Sequence, residues 1–264
     1  MIYILAALAL LMLWMVFEAR SIKPEHIKLS EEETSVRAAL LTDIHIGMLM
    51  VSHHKLGRIL KEAEPDFLVI AGDLLDRPHN MDTFMQWLDS LDLHIPIYAT
   101  LGNHDHTCLQ KKPTLMKMLR FNLKSKGARL LVNESVVFVK GRRCINIVGI
   151  DDQKRGNPDP AKAKSSIDPH GDFTLAVSHN PDIALELPPE YADLLLCGHF
   201  HGGQIWMPFN LEYRLFRHEK TCRDGCRRGL HEINGNRVYI SRGIGNVVVP
   251  LRLGSRPEVT FIDF

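Results

Sequence analysis

The run Phe67-Leu68-Val69-Ile70-Ala71-Gly72-Asp73-Leu74-Leu75-Asp76 decides how the rest of this chain is read. Its opening residues are apolar and of strand length, as in a buried strand of a mostly parallel sheet. Gly72 lets the chain turn sharply, so Asp73 emerges at the carboxyl end of that strand. In open α/β sheets that edge is where ligands bind. Gly-Asp after a strand is also an ordinary turn, and its company is what gives this one weight. Thr42-Asp43-Ile44-His45, Gly102-Asn103-His104-Asp105, Ser178-His179 and Gly198-His199-Phe200-His201 each follow another apolar run. Together they supply enough oxygen and imidazole donors for two metal ions, with Asp73 placed to bridge them.

A chain of 264 residues with 45% hydrophobic side chains buries one sizeable core. The formal charge of +1 gives no global electrostatic reason to expect nucleic acid as a partner. Five cysteines form an odd, sparse set, which fits free thiols in a reducing compartment.

Residues 1–17 carry no charged side chain. As a helix they would extend roughly 26 Å, slightly short of a ~30 Å hydrocarbon core. The start lacks Lys and Arg, and Glu18-Ala19-Arg20 is a poor cleavage site, so an uncleaved membrane anchor is preferred over a signal peptide. A core helix is the competing reading. Arg20, Lys23 and Lys28 follow the apolar run, and the positive-inside rule then puts the globular part in the cytoplasm, on the inner or cytoplasmic membrane. The expected division is an anchor at 1–20, a connector at 21–35 with a solvated acidic turn at 30–35, and one domain at 36–264.

Within that domain the pattern alternates. Ala38-Ala39-Leu40-Leu41 predicts a strand, and Leu56, Ile59, Leu60 and Ala63 a helix ended by Pro65. The Phe67 strand is followed by a helical stripe of Met81, Phe84, Met85 and Leu88, then a strand at Ile95-Pro96-Ile97-Tyr98-Ala99. A further helix begins at Pro113. Such alternation marks βαβ units. After Gly127 the chain turns strand-rich, at Val136–Val139, Ile145–Val148, Phe173–Val177, Ala192–Leu196, Arg237–Ile240 and Glu258–Ile262. Residues 151–170, with Pro158, Pro160 and Pro169, predict a long loop, either a lid or filler.

Hydrolysing a phosphate ester requires a nucleophile directed at an anion and a stabilised oxyanion leaving group. Two cations about 3.5–4 Å apart meet both needs, and a shared carboxylate sets that spacing. Without thiolates, the donor set favours manganese first, with iron, zinc or magnesium as alternatives.

These motifs resemble the calcineurin-like metallophosphoesterases: Asp43-x-His45, Gly72-Asp73-x-x-Asp76, Gly102-Asn103-His104-Asp105, His179 and Gly198-His199-x-His201. The resemblance implies an αββα sandwich of two central sheets flanked by helices, preceded here by the anchor helix. It implies one metal on Asp43, His45, Asp73 and His201, and a second on Asp73, Asn103, His179 and His199. His104 would reach the substrate phosphate and protonate the leaving oxygen, with Asp105 beside it in the catalytic set, and Asp105 and Asp76 would orient ligands or His104. Gly202-Gly203-Gln204 and Ser241-Arg242-Gly243-Ile244-Gly245 are similar to a membrane-associated phosphodiesterase branch that includes some UDP-diacylglucosamine pyrophosphohydrolases. Phe200 departs from that branch, which usually has Thr there.

The expected activity is therefore hydrolysis of a phosphodiester or diphosphate by metal-bound hydroxide, on a lipid-linked substrate such as UDP-diacylglucosamine. A soluble substrate is the alternative, and a non-catalytic metal-binding scaffold is the alternative of another class. Arg242, Arg214 and Arg217 are the expected substrate contacts. The last two belong to a basic stretch with Lys220, Arg223, Arg227 and Arg228, which reads either as a solvated loop or as a contact for a diphosphate or anionic headgroups. Cys222-x-x-x-Cys226, near His218 and His231, is loosely compatible with a zinc clip, but reduced thiols are the preferred reading.

Overall fold

A computed structural model describes residues 1–29, 36–109 and 112–264, so the acidic turn expected at 30–35 lies outside the described residues. Twelve strands form two six-stranded sheets. The first has the order β1 (Lys23–Lys28), β12 (Glu258–Asp263), β2 (Arg37–Leu41), β3 (Phe67–Ala71), β4 (Ile97–Thr100) and β5 (Ala128–Leu130). The second has β10 (Gly229–Ile233), β11 (Asn236–Ile240), β9 (Leu194–Cys197), β8 (Phe173–Val177), β7 (Arg143–Gly149) and β6 (Glu134–Lys140). The centre of each sheet is parallel: β2–β3–β4 in the first, β7–β8–β9–β11 in the second.

Period-two alternation decides which side chain enters which layer. Ala38, Leu40, Phe67, Val69 and Ala71 face Ile147, Leu175, Val177 and Leu196 across the gap between the sheets. Ala39, Leu41, Leu68 and Ile70 point the other way, onto helices α2 (His53–Ala63), α3 (Met81–Ser90), α4 (Asn103–Leu109) and α5 (Pro113–Ser125). Behind the second sheet, Val148, Ala176, Leu195 and Ile240 pack under α6 (Pro160–Ala163), α7 (Leu211–Phe216) and α8 (Lys220–Arg223). The result is the expected two-sheet sandwich flanked by helices.

The N-terminal helix α1 (Ile2–Arg20) stands largely outside these layers; only Met15, Glu18 and Ala19 are buried. By length and composition it is apolar enough to cross a membrane. No loose connector follows it directly. Lys23–Lys28, inside the stretch expected as connector, pairs in parallel with β12 as an edge strand. Its sequence Lys-Pro-Glu-His-Ile-Lys lacks a hydrophobic alternation because only one edge is paired and little of it is buried.

Phe67 is fully buried between the sheets, with its ring 4.8 Å from that of Phe138. Phe67→Ala is expected to cost about 3–5 kcal/mol through the cavity it leaves. Val139→Ala, on a side chain 63% exposed, should stay within about 0.5 kcal/mol. Denaturant unfolding of both variants checks this; equal losses would contradict the layered core.

Candidate metal centre

The carboxyl ends of β2, β3, β4, β8 and β9 meet at one end of the sandwich. There the structure brings together Asp43, His45, Asp73, Asn103, His104, His179, His199 and His201. Asp43, His45, Asp73, His199 and His201 all have positive φ, between 41° and 75°. This left-handed backbone is unfavourable for side chains other than Gly and clusters at functional sites. It lets each chain reverse within a residue or two of its strand and aim a donor inward. Gly102 and Gly198 permit the close packing: a Cβ at either would collide with the carboxylate of Asp73 or Asp43 respectively.

Asp73 occupies the middle. Its Oδ2 lies 3.3 Å from His45 Nε2 and 3.1 Å from His179 Nε2, while Oδ1 accepts the His104 N–H at 2.8 Å. Asp43 Oδ1 lies 3.3 Å from His201 Nε2, and the same carboxylate accepts the His199 N–H and the Thr42 hydroxyl. Two donor groups result, Asp43–His45–His201 and Asp73–His179–His199, each with its donor atoms within 4.8 Å of one another. Asp73 also groups with His45 and His104, so its carboxylate faces both sides.

Three buried polar atoms in this cluster have no hydrogen-bond partner: Asn103 Oδ1, His45 Nε2 and His201 Nδ1. Such atoms are costly to bury unsatisfied, and cations offset that cost. The ring nitrogens facing away from the cluster are committed. His45 Nδ1 meets Asp76 Oδ1 at 2.8 Å, and His179 Nδ1 donates to the Ala71 carbonyl at 2.9 Å. Fixing one nitrogen presents the other as a ligand. The residues present therefore fit two divalent ions.

Electrostatics follow from burial and charge. Burial pushes the pKa of His201 well down and that of His199 down, holding both in the neutral form that ligates metal. For His179 burial acts in the same direction, but Asp73 and Asp43 outweigh it and lift its pKa to about 10. Burial opposes ionisation of Asp73, and the neighbouring imidazoles, led by His179, override it and hold its pKa well below the usual carboxylate range.

The remaining expected residues fall in different places. Asp76 orients His45 and accepts the Gly47 N–H. Asp105 is fully buried and accepts the N–H groups of Leu74, Leu75 and Gly102. Burial, followed by the Asp73 charge, raises its pKa to about 6 despite those donors. It clamps the turn after β3 to the start of α4, a positioning role. Arg242 is held by Glu258 at 2.5 Å and by Glu25, and does not line the cleft over the cluster. Arg217 does line that cleft, whereas Arg214 lines a neighbouring cavity. Phe200 is buried in the layer behind the second sheet, and the Arg217 guanidinium lies over its ring. The five cysteines are free thiols, and the metal-type groups among the described residues include neither Cys222 nor Cys226.

Glu219 and Lys154 were missed. His199 Nε2 meets Glu219 Oε1 at 2.9 Å, and Lys154 Nζ meets the same oxygen at 2.6 Å. This contact leaves His199 Nδ1, 3.3 Å from His179 Nε2, as the nitrogen facing the site. Nothing local in sequence marks Glu219, one of three acids, with Glu212 and Asp224, in a basic stretch.

Asp73→Ala should remove both ions, because Asp73 belongs to one donor group and its carboxylate also faces His45 of the other. Glu219→Gln should weaken retention of one ion roughly 10–100-fold and leave the other. Metal content after dialysis against graded chelator separates the outcomes; two ions retained by Asp73→Ala would exclude the bridge.

The comparisons with known proteins agree with this geometry. The calcineurin-like phosphoesterase family matches residues 36–203. YkoQ, an uncharacterized metallophosphoesterase of Bacillus subtilis, is 34% identical over 224 residues, covering 84% of this chain and 80% of that protein. The phosphodiesterase YaeI of Escherichia coli is 33% identical over 204 residues, covering 76% of this chain and 71% of that one. The phosphopantetheinyl hydrolase PptH of Mycobacterium tuberculosis, 14% identical, shares the fold with a TM-score of 0.51 over 84% of this chain and 96% of its own. Strand-end donors in the motif order, a match over most of the domain and two relatives above 30% identity lead to one conclusion: the chain belongs to the calcineurin-like phosphoesterases and is a metal-dependent phosphoesterase.

Proposed function

We propose that this phosphoesterase cleaves a phosphodiester or diphosphate bond in a lipid-linked substrate, at a membrane in which α1 is embedded. The supporting observation is the shape and lining of the cleft. A cavity of about 540 Å³ is lined by Asp73, Asn103, His104, His199 and His201, by the charged Lys154, Glu212 and Arg217, and by an apolar wall of Ile205, Met207, Phe216, Val247, Val248 and Val249. Polar donors and apolar side chains in one cavity suit a phosphate attached to acyl chains, as in UDP-diacylglucosamine.

The wall is built, and its exposure is not an accident of a loose loop. The Gln204 amide donates to the carbonyls of Val247 and Val249 and accepts the Val247 N–H, each at 2.9 Å. Val248 is thereby held 92% exposed with φ of 64°, an outlier for a β-branched residue. The same region holds α1. Gly254 donates its N–H to Glu18 at 2.6 Å, and Arg252 donates to the Met15 carbonyl at 3.2 Å. Leu253, between them, bridges to Ile205 of the cleft wall. The apolar helix and the apolar wall thus share one short segment. Arg20, Lys23 and Lys28 favour the cytoplasmic side for the domain.

Asp43, His45, Asp73 and His201 would hold one ion, and Asp73, Asn103, His179 and His199 the other; manganese is the preferred identity for this oxygen and imidazole set. When bound, such a pair supplies the hydrolytic nucleophile at neutral pH and neutralises charge on the phosphoryl group. The chain's own part falls mainly to His104. Its backbone is fixed by Asp73, and its ring stands edge-on to His45 at 4.7 Å. Burial lowers its pKa, so the ring is neutral at neutral pH and donates one N–H to a phosphate oxygen. An arriving anion favours the imidazolium and brings a proton to the leaving oxygen.

His104→Ala is expected to keep both ions but lose turnover roughly 10²–10⁴-fold, and less for good leaving groups. Equal losses for p-nitrophenolate and alkoxide leaving groups would assign His104 to phosphate binding alone.

Substituting Phe216→Ser together with Val248→Ser tests the substrate class. Turnover of a vesicle-borne lipid diphosphate should fall roughly tenfold through lost apolar contact. Hydrolysis of bis-p-nitrophenyl phosphate should be the less affected. Parallel losses would make the wall structural; no loss with either would favour a soluble substrate.

A further inference from the structure

Beside the metal cleft, and sharing Arg217 with it, lies a cavity of about 470 Å³. Its lining includes Asn210, Tyr213, Arg214, Arg217, Arg223 and Arg227, and no carboxylate. Among the described residues, none of these four arginines makes an ion pair. Arg223 approaches only His218, at 3.5 Å, and Arg227 donates to the Cys222 carbonyl at 3.2 Å. Outside the cavity Arg37 is paired with Asp263, Arg120 with Glu134 and Arg242 with Glu258, while Arg252 and Arg256 bond to carbonyl, amide or hydroxyl oxygens.

The acids of the surrounding segment are all engaged elsewhere. Glu212 accepts the Met207 N–H, Glu219 meets His199 and Lys154, and Asp224 pairs with Lys220. Four like charges are therefore gathered around one concavity with their natural counter-ions turned away. Such an arrangement is repulsive when empty of anions and attractive to them. Two of the guanidiniums are also pre-ordered. Arg217 lies over the Phe200 ring at 5.7 Å, and Arg227 over the Tyr213 ring at 4.6 Å. An aromatic face restricts where the guanidinium sits; Arg227 spends its Nε on the Cys222 carbonyl and keeps its Nη groups for phosphate oxygens. Here Phe200, the residue that departs from the related branch, acquires a use as the platform under Arg217.

We propose that this arginine-lined cavity is a second anion site, holding a phosphate group distinct from the one attacked at the metals. Phe209, Leu215 and Phe216, exposed on the same segment, suit a phosphate carried on a lipid, either a second phosphate of the substrate or an anionic headgroup. A soluble phosphate satisfies the same arginines. The site itself stands on the arginines; only the lipid identity of its ligand rests on the proposed function.

The test is arginine labelling by phenylglyoxal on the full-length, metal-loaded protein in dodecyl maltoside, read residue by residue by mass spectrometry. The probes are inorganic phosphate and, separately, phosphatidic acid in the same micelles. At a probe concentration near ten times its Kd, labelling of Arg214 and Arg227 should slow roughly tenfold. Arg58, a 70% exposed side chain on α2, should label at an unchanged rate. Protection by inorganic phosphate assigns a soluble ligand, and protection by phosphatidic acid alone assigns a lipid-borne one. Unchanged labelling with both probes, or equal slowing at Arg58, overturns the site. Repeating the experiment on Asp73→Ala keeps the metals out of the readout. Protection without turnover of any lipid diphosphate would remove the substrate proposal and leave the anion site standing.

Discussion

Two buried carboxylates, Asp43 and Asp73, set the terms for what surrounds them. Burying an unpaired charge costs several kcal/mol, so each is enclosed by imidazoles, by backbone N–H groups from His199 and His104, and, for Asp43, by the Thr42 hydroxyl. Meeting that demand from both sheets explains the local backbone. Five donor residues adopt left-handed conformations, and glycines stand wherever a Cβ would strike a carboxylate. Asp105, enclosed below the site, ties the turn after β3 to α4 and keeps two of the donor segments in register. The centre is thus a strained assembly that the two hydrophobic layers hold in place, and divalent cations are the partners its unpaired atoms lack.

Much of this was legible in the sequence because it is local. Each apolar run before a donor is a strand, and each donor sits within a few residues of that strand's end, so order and spacing carried the site without tertiary information. What escaped is non-local or lies on edges. Lys23–Lys28 has no alternation to betray a strand; its pairing partner lies more than 230 residues away. Ala128–Leu130 is only three residues long. Arg242 sits in a motif-like stretch, yet a glutamate from β12 and another from β1 hold it away from the cleft. Glu219 reaches His199 from a loop with no periodicity, and no reading of neighbours in sequence could place it there.

The division of labour inside the domain follows the same line. The chemistry is seated at the ends of buried strands, where side chains have few alternatives. The proposed recognition surfaces lie largely on the segment from Gln204 to Arg228, which is built from single turns and short helices. That segment contributes Glu219 to a metal ligand, Phe216 to the cleft wall and four arginines to the adjoining cavity. Substitutions there can alter what is bound without disturbing how a phosphate bond is cleaved, apart from Glu219, where the two functions touch.

The join between α1 and the domain has a mechanical meaning. The helix passes through Ser21 and Ile22 straight into β1, and its last turns are gripped by Arg252, Gly254 and Arg256. A long flexible tether would let a catalytic head tumble and sample a hemisphere of solution. A helix fused to a sheet edge allows no such search. Embedded in a bilayer, it would set one tilt and one standing height for the cleft, as a bracket does for a shelf. Substrates would then be sorted by how far their scissile phosphate projects from the membrane plane, in addition to what they are made of.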